Sequence, residues 1–286
     1  MYKQLKTGIP GYLFVLVPTI FLLVFNVIPM AVSLVVSLTE WNGITAPKFV
    51  GLENYAEVLS PDSRFYSVLA NTLIFAVLYV VGIVVVGLIV ALSINRIRRG
   101  KSFFRVAYFV PYISPLVVAS MVWILLYADD GLINSILNRL GLGSVGWLSD
   151  PDVALLSIIL MSIWQSMGFA MVIFVGGLSN ISEQLYEAAT IDGAGVVQSF
   201  RHVTVPGLRP TFAFVIIYGL ILGFQVFDQI FVMTGGGPVG ATESVVFSIY
   251  DHFRDLDLGT TSAIAYVLFL ILLAVSVVQL RLFRED

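Results

Sequence analysis

The stretch Glu187-Ala188-Ala189-Thr190-Ile191-Asp192-Gly193-Ala194-Gly195, with Phe200-Arg201-His202-Val203-Thr204-Val205-Pro206 and Pro210 behind it, is the one long polar interval on its side of a mostly apolar chain. Its local chemistry predicts a helix, a tight turn and a second helix. Ser182 stands where an N-cap belongs, with Glu183 and Glu187 in the early turns, where the helix dipole favours negative charge. Leu185, Ala188, Ala189 and Ile191 supply an apolar stripe. Gly193 and Gly195 offer positions where φ can turn positive and the chain can reverse. A second short helix is predicted over 196–203, closed by Pro206 and Pro210.

The composition around this stretch does not suit a soluble protein. Of 286 residues 58% are hydrophobic and 12% charged, and mean hydropathy is +0.97, which points to a polytopic membrane protein. Without cysteine there is no disulfide, thiolate catalysis or cysteine-based metal site. A net charge of −3 and the lack of a basic patch with interleaved aromatics exclude nucleic acid as a partner. Six apolar segments, near 10–38, 67–95, 106–127, 153–179, 211–234 and 261–282, are long enough for a hydrocarbon core that needs about 20 residues. Pro18, Pro29, Pro111 and Pro115 lie inside apolar runs and are predicted to kink their helices. The first segment follows Lys3 and Lys6 and is too long for a signal-peptide core, so it reads as a retained span.

Lysine and arginine set the orientation. Eleven of the fifteen fall on one side: Lys3, Lys6, Arg96, Arg98, Arg99, Lys101, Arg105, Arg201, Arg209, Arg281 and Arg284. Only Lys48, Arg64, Arg139 and Arg254 fall on the other. Both termini and the Glu187 loop are therefore expected in the cytoplasm, in a multi-pass plasma-membrane protein.

The Glu187 stretch also carries a resemblance. Glu-Ala-Ala, two residues, Asp-Gly-Ala, then an apolar-proline pair in the loop before the penultimate span resembles the signature loop of binding-protein-dependent ABC importer permeases. One departure is mild: the family often shows Ile-x-Leu-Pro where this chain has Val203-Thr204-Val205-Pro206. Four further features resemble sugar permeases of that family. They are Phe49-Val50-Gly51-Leu52-Glu53-Asn54-Tyr55 in the first external loop, Asn71-Thr72 opening the second span, Thr234-Gly235-Gly236-Gly237-Pro238 after the fifth, and Leu258-Gly259-Thr260-Thr261-Ser262-Ala263 entering the last. The first of these reads equally as a short interfacial helix with aromatic anchors, and 132–140 as a second interfacial helix. The glycine run is no phosphate cradle, since no Lys-Ser/Thr follows and no strand precedes it.

The resemblance implies an all-α membrane protein with six transmembrane helices in the type I ABC importer permease fold. It implies a cytoplasmic coupling-helix loop between spans 4 and 5, and residues 1–66 as first span plus external loop. Residues 67–282 then form a permease core of five spans, and 283–286 a cytoplasmic tail. The implied host is a bacterial or archaeal inner membrane. The implied partners are a second, homologous permease, an ABC ATPase dimer, an extracytoplasmic solute-binding protein and a carbohydrate. Docking to the ATPase would fall to Glu187, Ala188, Ala189, Asp192, Gly193, Ala194, Gly195 and Phe200. No cofactor is expected in this chain, because no Walker-type loop is present and ATP and Mg would be bound by the ATPase.

Searching for chemistry inside the chain finds little. His202 and His252 lie on opposite sides of the membrane without metal-ligating neighbours, and no nucleophile, base and orienter can be assembled, so no catalytic or metal residue is assigned. Polar groups inside spans are the better clue, since each is costly in lipid. Ser162, Gln165, Ser166 and Phe169 share a helical face, as do Gly219, Leu222, Gly223 and Val226. Alignment on the signature loop puts Gln165, Ser166, Phe169, Gly219, Leu222, Gly223 and Val226 at or near positions that line the family's midmembrane sugar site. Helix packing through small residues, with Ser and Gln as interhelical glue, is the competing reading. No charge falls among these residues, which favours a neutral sugar over a sugar phosphate; an importer of a sugar phosphate or a polyol with the same architecture is the alternative. Asp228, without an intramembrane cation, reads as a fixed group held by loop backbone near the outer mouth rather than as a proton relay, which also weighs against a secondary transporter.

Overall fold

The computed structural model describes residues 14–97 and 99–282. The features expected at 1–13, at Arg98 and at 283–286 lie outside the described residues. Helix α1 (Phe14–Val36) is followed by a hairpin of β1 (Thr39–Glu40) and β2 (Lys48–Phe49), then α2 (Glu53–Val58) and α3 (Phe65–Arg96). Next come α4 (Lys101–Ile113), α5 (Leu116–Tyr127), α6 (Leu132–Arg139), α7 (Pro151–Ser179) and α8 (Glu183–Ile191). After α9 (Val196–Gly207) the chain forms α10 (Arg209–Phe224), α11 (Asp228–Met233), α12 (Val245–Arg254) and α13 (Leu258–Leu282). Among the described residues, five helical stretches are long and apolar enough to cross a bilayer, and a sixth if α9 and α10, which meet at 65°, are one.

Two predicted spans are not single helices. The segment 106–127 breaks at Ser114, which is extended (φ −66°, ψ 139°) because the ring of Pro115 excludes helical geometry from the residue before it. Pro111, by contrast, is absorbed inside α4. The segment 211–234 breaks after Phe224, and α11 starts four residues later. Its irregular linker is paired where it is buried: Ser244 Oγ donates to the Val226 carbonyl at 2.7 Å.

Prolines also explain two widened π-turns, at Leu23–Val27 and Phe200–Thr204. Each ends two residues before a proline, Pro29 and Pro206. A proline inside a helix lacks an N–H and crowds the carbonyl four residues back, and one extra residue in the preceding turn relieves that crowding. Pro206 therefore does not close the second helix at 203, as the sequence predicts. The helix runs on to Gly207, and Pro210 sits in the first turn of α10, where its missing N–H is harmless.

The chain forms two compact units. The first holds the residues up to Arg64 and Ile249–Phe269. In it Asn54 donates to the carbonyls of Ser37 and Thr39 at 2.9 and 3.0 Å, and Tyr55 shares a 2.7 Å hydrogen bond with Ser37, so the Asn54-Tyr55 pair clamps the end of α1 to the hairpin. The backbone N–H of Leu258 bonds the Trp41 carbonyl at 3.0 Å, and Tyr266 reaches the Met30 carbonyl.

The second unit holds Phe65–Ser248 and the residues from Leu270. Its core packs α3 and α7 face to face, with Phe75, Ile94, Ile158, Met161, Met171 and Phe174 buried. Lipid gives helices no hydrophobic reason to associate, so close approach through small residues matters here. A Cβ on Gly223 would lie 2.7 Å from the Ala76 Cα, and one on Gly168 would strike the Tyr108 carbonyl. Asn71-Thr72 at the start of α3 holds the glycine turn after α11. Asn71 donates to the carbonyls of Gly240 and Glu243, both at 3.2 Å, and the Thr72 hydroxyl accepts the Val245 N–H at 3.0 Å. Fully buried Asn134 pins the loop around α6. It donates to the carbonyls of Ala128 and Val145 and accepts from Val145 N–H and the Trp147 indole, all within 3.0–3.1 Å.

Candidate functional site: a cavity at two helix breaks and an exposed elbow

A cavity of about 210 Å³ opens where the two broken segments meet α3 and α7. The α4–α5 break contributes Tyr112 and Leu116, and the α10–α11 linker contributes Gln225, Val226 and Phe227. Phe75 and Tyr79 of α3, Gln165 and Ser166 of α7, Leu222 of α10 and Asp228 and Gln229 of α11 complete the lining. Ending a helix here leaves carbonyls without intrahelical partners, and side chains answer them. The Tyr112 carbonyl, whose helical partner is lost to the break, accepts from Gln165 Nε2 at 3.4 Å. The other end of that amide accepts from Ser166 Oγ at 3.0 Å, and Gln229 donates to Ser162 Oγ at 3.2 Å.

An aromatic layer lies one turn from the cavity in the direction of α8 and α9. Phe169 stacks on Tyr112 with centroids 5.1 Å apart and against Tyr218 at 4.9 Å, and Phe214 lies parallel to Tyr218 at 6.0 Å. The hydroxyls of Tyr112 and Tyr218 are 3.4 Å apart.

Of the seven residues expected to line a sugar site, Gln165, Ser166, Leu222 and Val226 lie on the cavity, and Phe169 stacks behind Tyr112. Gly219 and Gly223 face α3 instead, where added Cβ atoms would meet Ile83 at 2.9 Å and Ala76 at 2.7 Å. Tyr79 and Tyr112 are additional. For Tyr112 the signal was its place between Pro111 and Pro115 in an apolar run. Asp228 starts α11 on the lining, so the cavity is not free of charge as the sequence suggested. Among the described residues its carboxylate takes no hydrogen bond from loop backbone.

The elbow is α8, a turn and α9. Ser182 takes the N-cap position, though its hydroxyl makes no capping bond. Gly193 has φ +76°. Its N–H bonds the Thr190 carbonyl at 3.1 Å and the next N–H, of Ala194, reaches back to Ala189 at 2.8 Å, the paired closure of a left-handed helix end. Gly195 is extended (φ −74°, ψ 172°) rather than left-handed, and its N–H is capped by Gln198 Oε1 at 2.9 Å. Tyr186 shares a 3.0 Å hydrogen bond with Thr204, joining α8 to the widened turn of α9. Leu208, fully buried, marks the 65° bend into α10. Glu187, Ala188, Asp192, Gly193 and Gly195 are exposed, and Ala189, Ala194 and Phe200 half-buried. Four large apolar side chains stand in the open beside them: Leu185 at 54%, Ile191 at 86%, Val196 at 73% and Val197 at 78% exposure.

Residues 83–283 match the family described as the binding-protein-dependent transport system inner membrane component. The chain is 36% identical over 280 residues to the probable ABC transporter permease protein YurN of Bacillus subtilis (strain 168), covering 96% of this chain and 95% of that one. It is 34% identical to the trehalose/maltose transport system permease protein MalF of Thermococcus litoralis, covering 100% and 97%. The fold is similar to that in the crystal structure of a bacterial alginate ABC transporter in complex with alginate pentasaccharide-bound periplasmic protein, with a TM-score of 0.87 at 20% identity over 99% of this chain and 97% of that one. The chain belongs to the binding-protein-dependent transport system inner-membrane component family. It is thus the multi-pass permease component of an ABC transporter.

Proposed function

We propose that this chain is the permease subunit of an ATP-driven importer that carries an oligosaccharide or other neutral carbohydrate, handed over by an external solute-binding protein. The observation that carries this reading is the full-length identity to a trehalose/maltose permease. The cavity fits it: broken helices near the middle of the spans, mostly apolar and aromatic walls, and a few oriented polar groups. Aromatic faces suit the apolar face of a sugar ring, while amide and carboxylate oxygens suit its hydroxyls. A sugar phosphate is disfavoured, because among the described residues no lysine, arginine or histidine stands on the lining.

In this reading the elbow docks in a cleft of one subunit of an ATPase dimer, which holds ATP and Mg, and a homologous permease completes the passage. Glu187 and Asp192 offer charges, Ala188, Ala189 and Ala194 allow close approach, Gly193 and Gly195 shape the turn, and Phe200 anchors α9. ATP closes the ATPase dimer, the elbow moves with its cleft, and α10 carries the motion past Leu208 to the aromatic layer and the cavity. Hydrolysis reverses it, a switch between two packed arrangements. Leu222, Val226, Gln165 and Ser166 form this subunit's wall, Phe169 supports Tyr112, and Gly219 and Gly223 seat α10 on α3. Both termini face the cytoplasm.

The test is reconstitution with the second permease, ATPase and binding protein. ATP hydrolysis and sugar uptake should both depend on the loaded binding protein. Leu222→Trp, which fills the cavity, should assemble normally and stop uptake; undiminished uptake in that variant overturns this route.

A further inference from the structure

We propose that Asp228 makes the cavity a charge filter that admits neutral or amine-bearing saccharides and turns away those carrying a carboxylate, sulfonate or phosphate. The inference rests on the reading that saccharide passes through this cavity.

The hydrogen-bonding inventory of the lining leads to it. Both ends of the Gln165 amide are occupied, by the Tyr112 carbonyl and by Ser166, and Gln229 has given one of its two N–H groups to Ser162. These groups hold the helix break together and have less to offer a guest. Gln225, also on the lining, is a neutral amide that donates and accepts alike. Asp228 differs in its charge. Among the described residues its carboxylate has neither a hydrogen-bond donor nor a cation beside it, and it is the only acidic side chain on the lining. A carboxylate accepts several hydrogen bonds, so it can receive sugar hydroxyls or an ammonium group, but it donates none. Asp228 itself is exposed to solvent, while Phe75, Leu116, Val226 and Phe227 beside it on the wall are apolar, so its carboxylate is the one acidic charge that a guest entering this cleft meets. An anionic guest in so small a volume would come within a few ångströms of that charge and find no cation to answer it.

Asp228 also sits in the first turn of α11, where a negative charge stabilises the helix end whether or not a guest passes. The experiment separates the two roles. Because the chain contains no cysteine, Leu222→Cys puts a single thiol on the lining. In the assembled transporter, its modification by a cationic and by an anionic methanethiosulfonate of similar size is followed by mass spectrometry of this chain. Each rate is divided by that for a free thiol. The cationic reagent should be favoured by roughly tenfold or more, and Asp228→Asn in the same background should bring the ratio within about threefold, the sense of a unit charge removed from beside the thiol. Asp228→Glu should keep the preference. A ratio near one with Asp228 present overturns the proposal. So does a ratio unchanged by Asp228→Asn, even in a less stable protein, and so does a thiol that neither reagent reaches. If the preference holds while loaded binding protein and ATP never slow labelling, the filter stands and the saccharide route fails.

Discussion

The elbow and the cavity solve opposite problems with the same backbone rules. The elbow turns large apolar side chains such as Ile191 and Val197 outward and satisfies its own backbone within a few residues, as Gly193, Ala194 and Gly195 do with Thr190, Ala189 and Gln198. The cavity turns polar side chains inward and satisfies its backbone over long separations, Tyr112 from Gln165 and Val226 from Ser244. A contiguous stretch can therefore serve as a contact surface complete in itself, whereas the cavity exists only once six separate helices are in place. Damage to the cavity should spread through the packing, and damage to the elbow should stay local and show in coupling.

The sharpest way to break that contrast is Phe169→Ala. It removes the half-buried ring between Tyr112 and Tyr218 and should cost up to about 3 kcal/mol of stability, the lower end of the range for a fully buried ring, read as a lower Tm of the purified protein in detergent. A near-unchanged Tm would mean the aromatic layer is not a packed unit. Gly193→Val follows. A β-branched residue at φ +76° stores on the order of 1–3 kcal/mol of backbone strain. Its effect should be confined to function: uptake falls more than tenfold, while ATP hydrolysis loses its dependence on binding protein or the ATPase no longer co-purifies. Normal transport in a normal complex would count against the elbow as a docking surface. Gln165→Leu comes third. Leaving the Tyr112 carbonyl without its donor and Ser166 without the amide should cost about 1–3 kcal/mol, and Gln165→Glu should restore only the Ser166 contact. Tyr186→Phe should be the mildest, about 1 kcal/mol for one hydroxyl pair, visible as faster proteolysis of the elbow rather than as lost uptake.

The same contrast explains what could be read from the sequence. The elbow was legible because each of its devices is encoded beside the residue that needs it: Glu183 after Ser182, Gly193 at the close of α8. Two of its details were misread: Gly195 is extended rather than left-handed, and Pro206 is no terminator, because a proline is equally compatible with an end and with a widened turn. Spans followed from hydropathy, but the breaks at Ser114 and after Phe224 depend on which carbonyls find distant partners. The cavity was half legible. The spacing of Gly219, Leu222, Gly223 and Val226 marks one side of α10 without saying which edge meets α3 and which meets open space. Ala76 and Ile83 decide that, and they lie more than a hundred residues away. Asp228 could be seen as an isolated carboxylate, but its place on the lining needed Gln225, Val226 and Phe227 to leave the helix.

The widened turn at Phe200–Thr204 has one more consequence. It stows a surplus residue in α9, and each residue in an α-helix advances the azimuth by about 100°. Excising one amino acid there, His202 for instance, would let the turn tighten to regular winding and leave Val196 and Val197 facing nearly as they do now relative to α10, because the wider turn spreads about the same sweep over one residue more. The surplus residue therefore makes room for Pro206 without re-aiming the outward-facing patch.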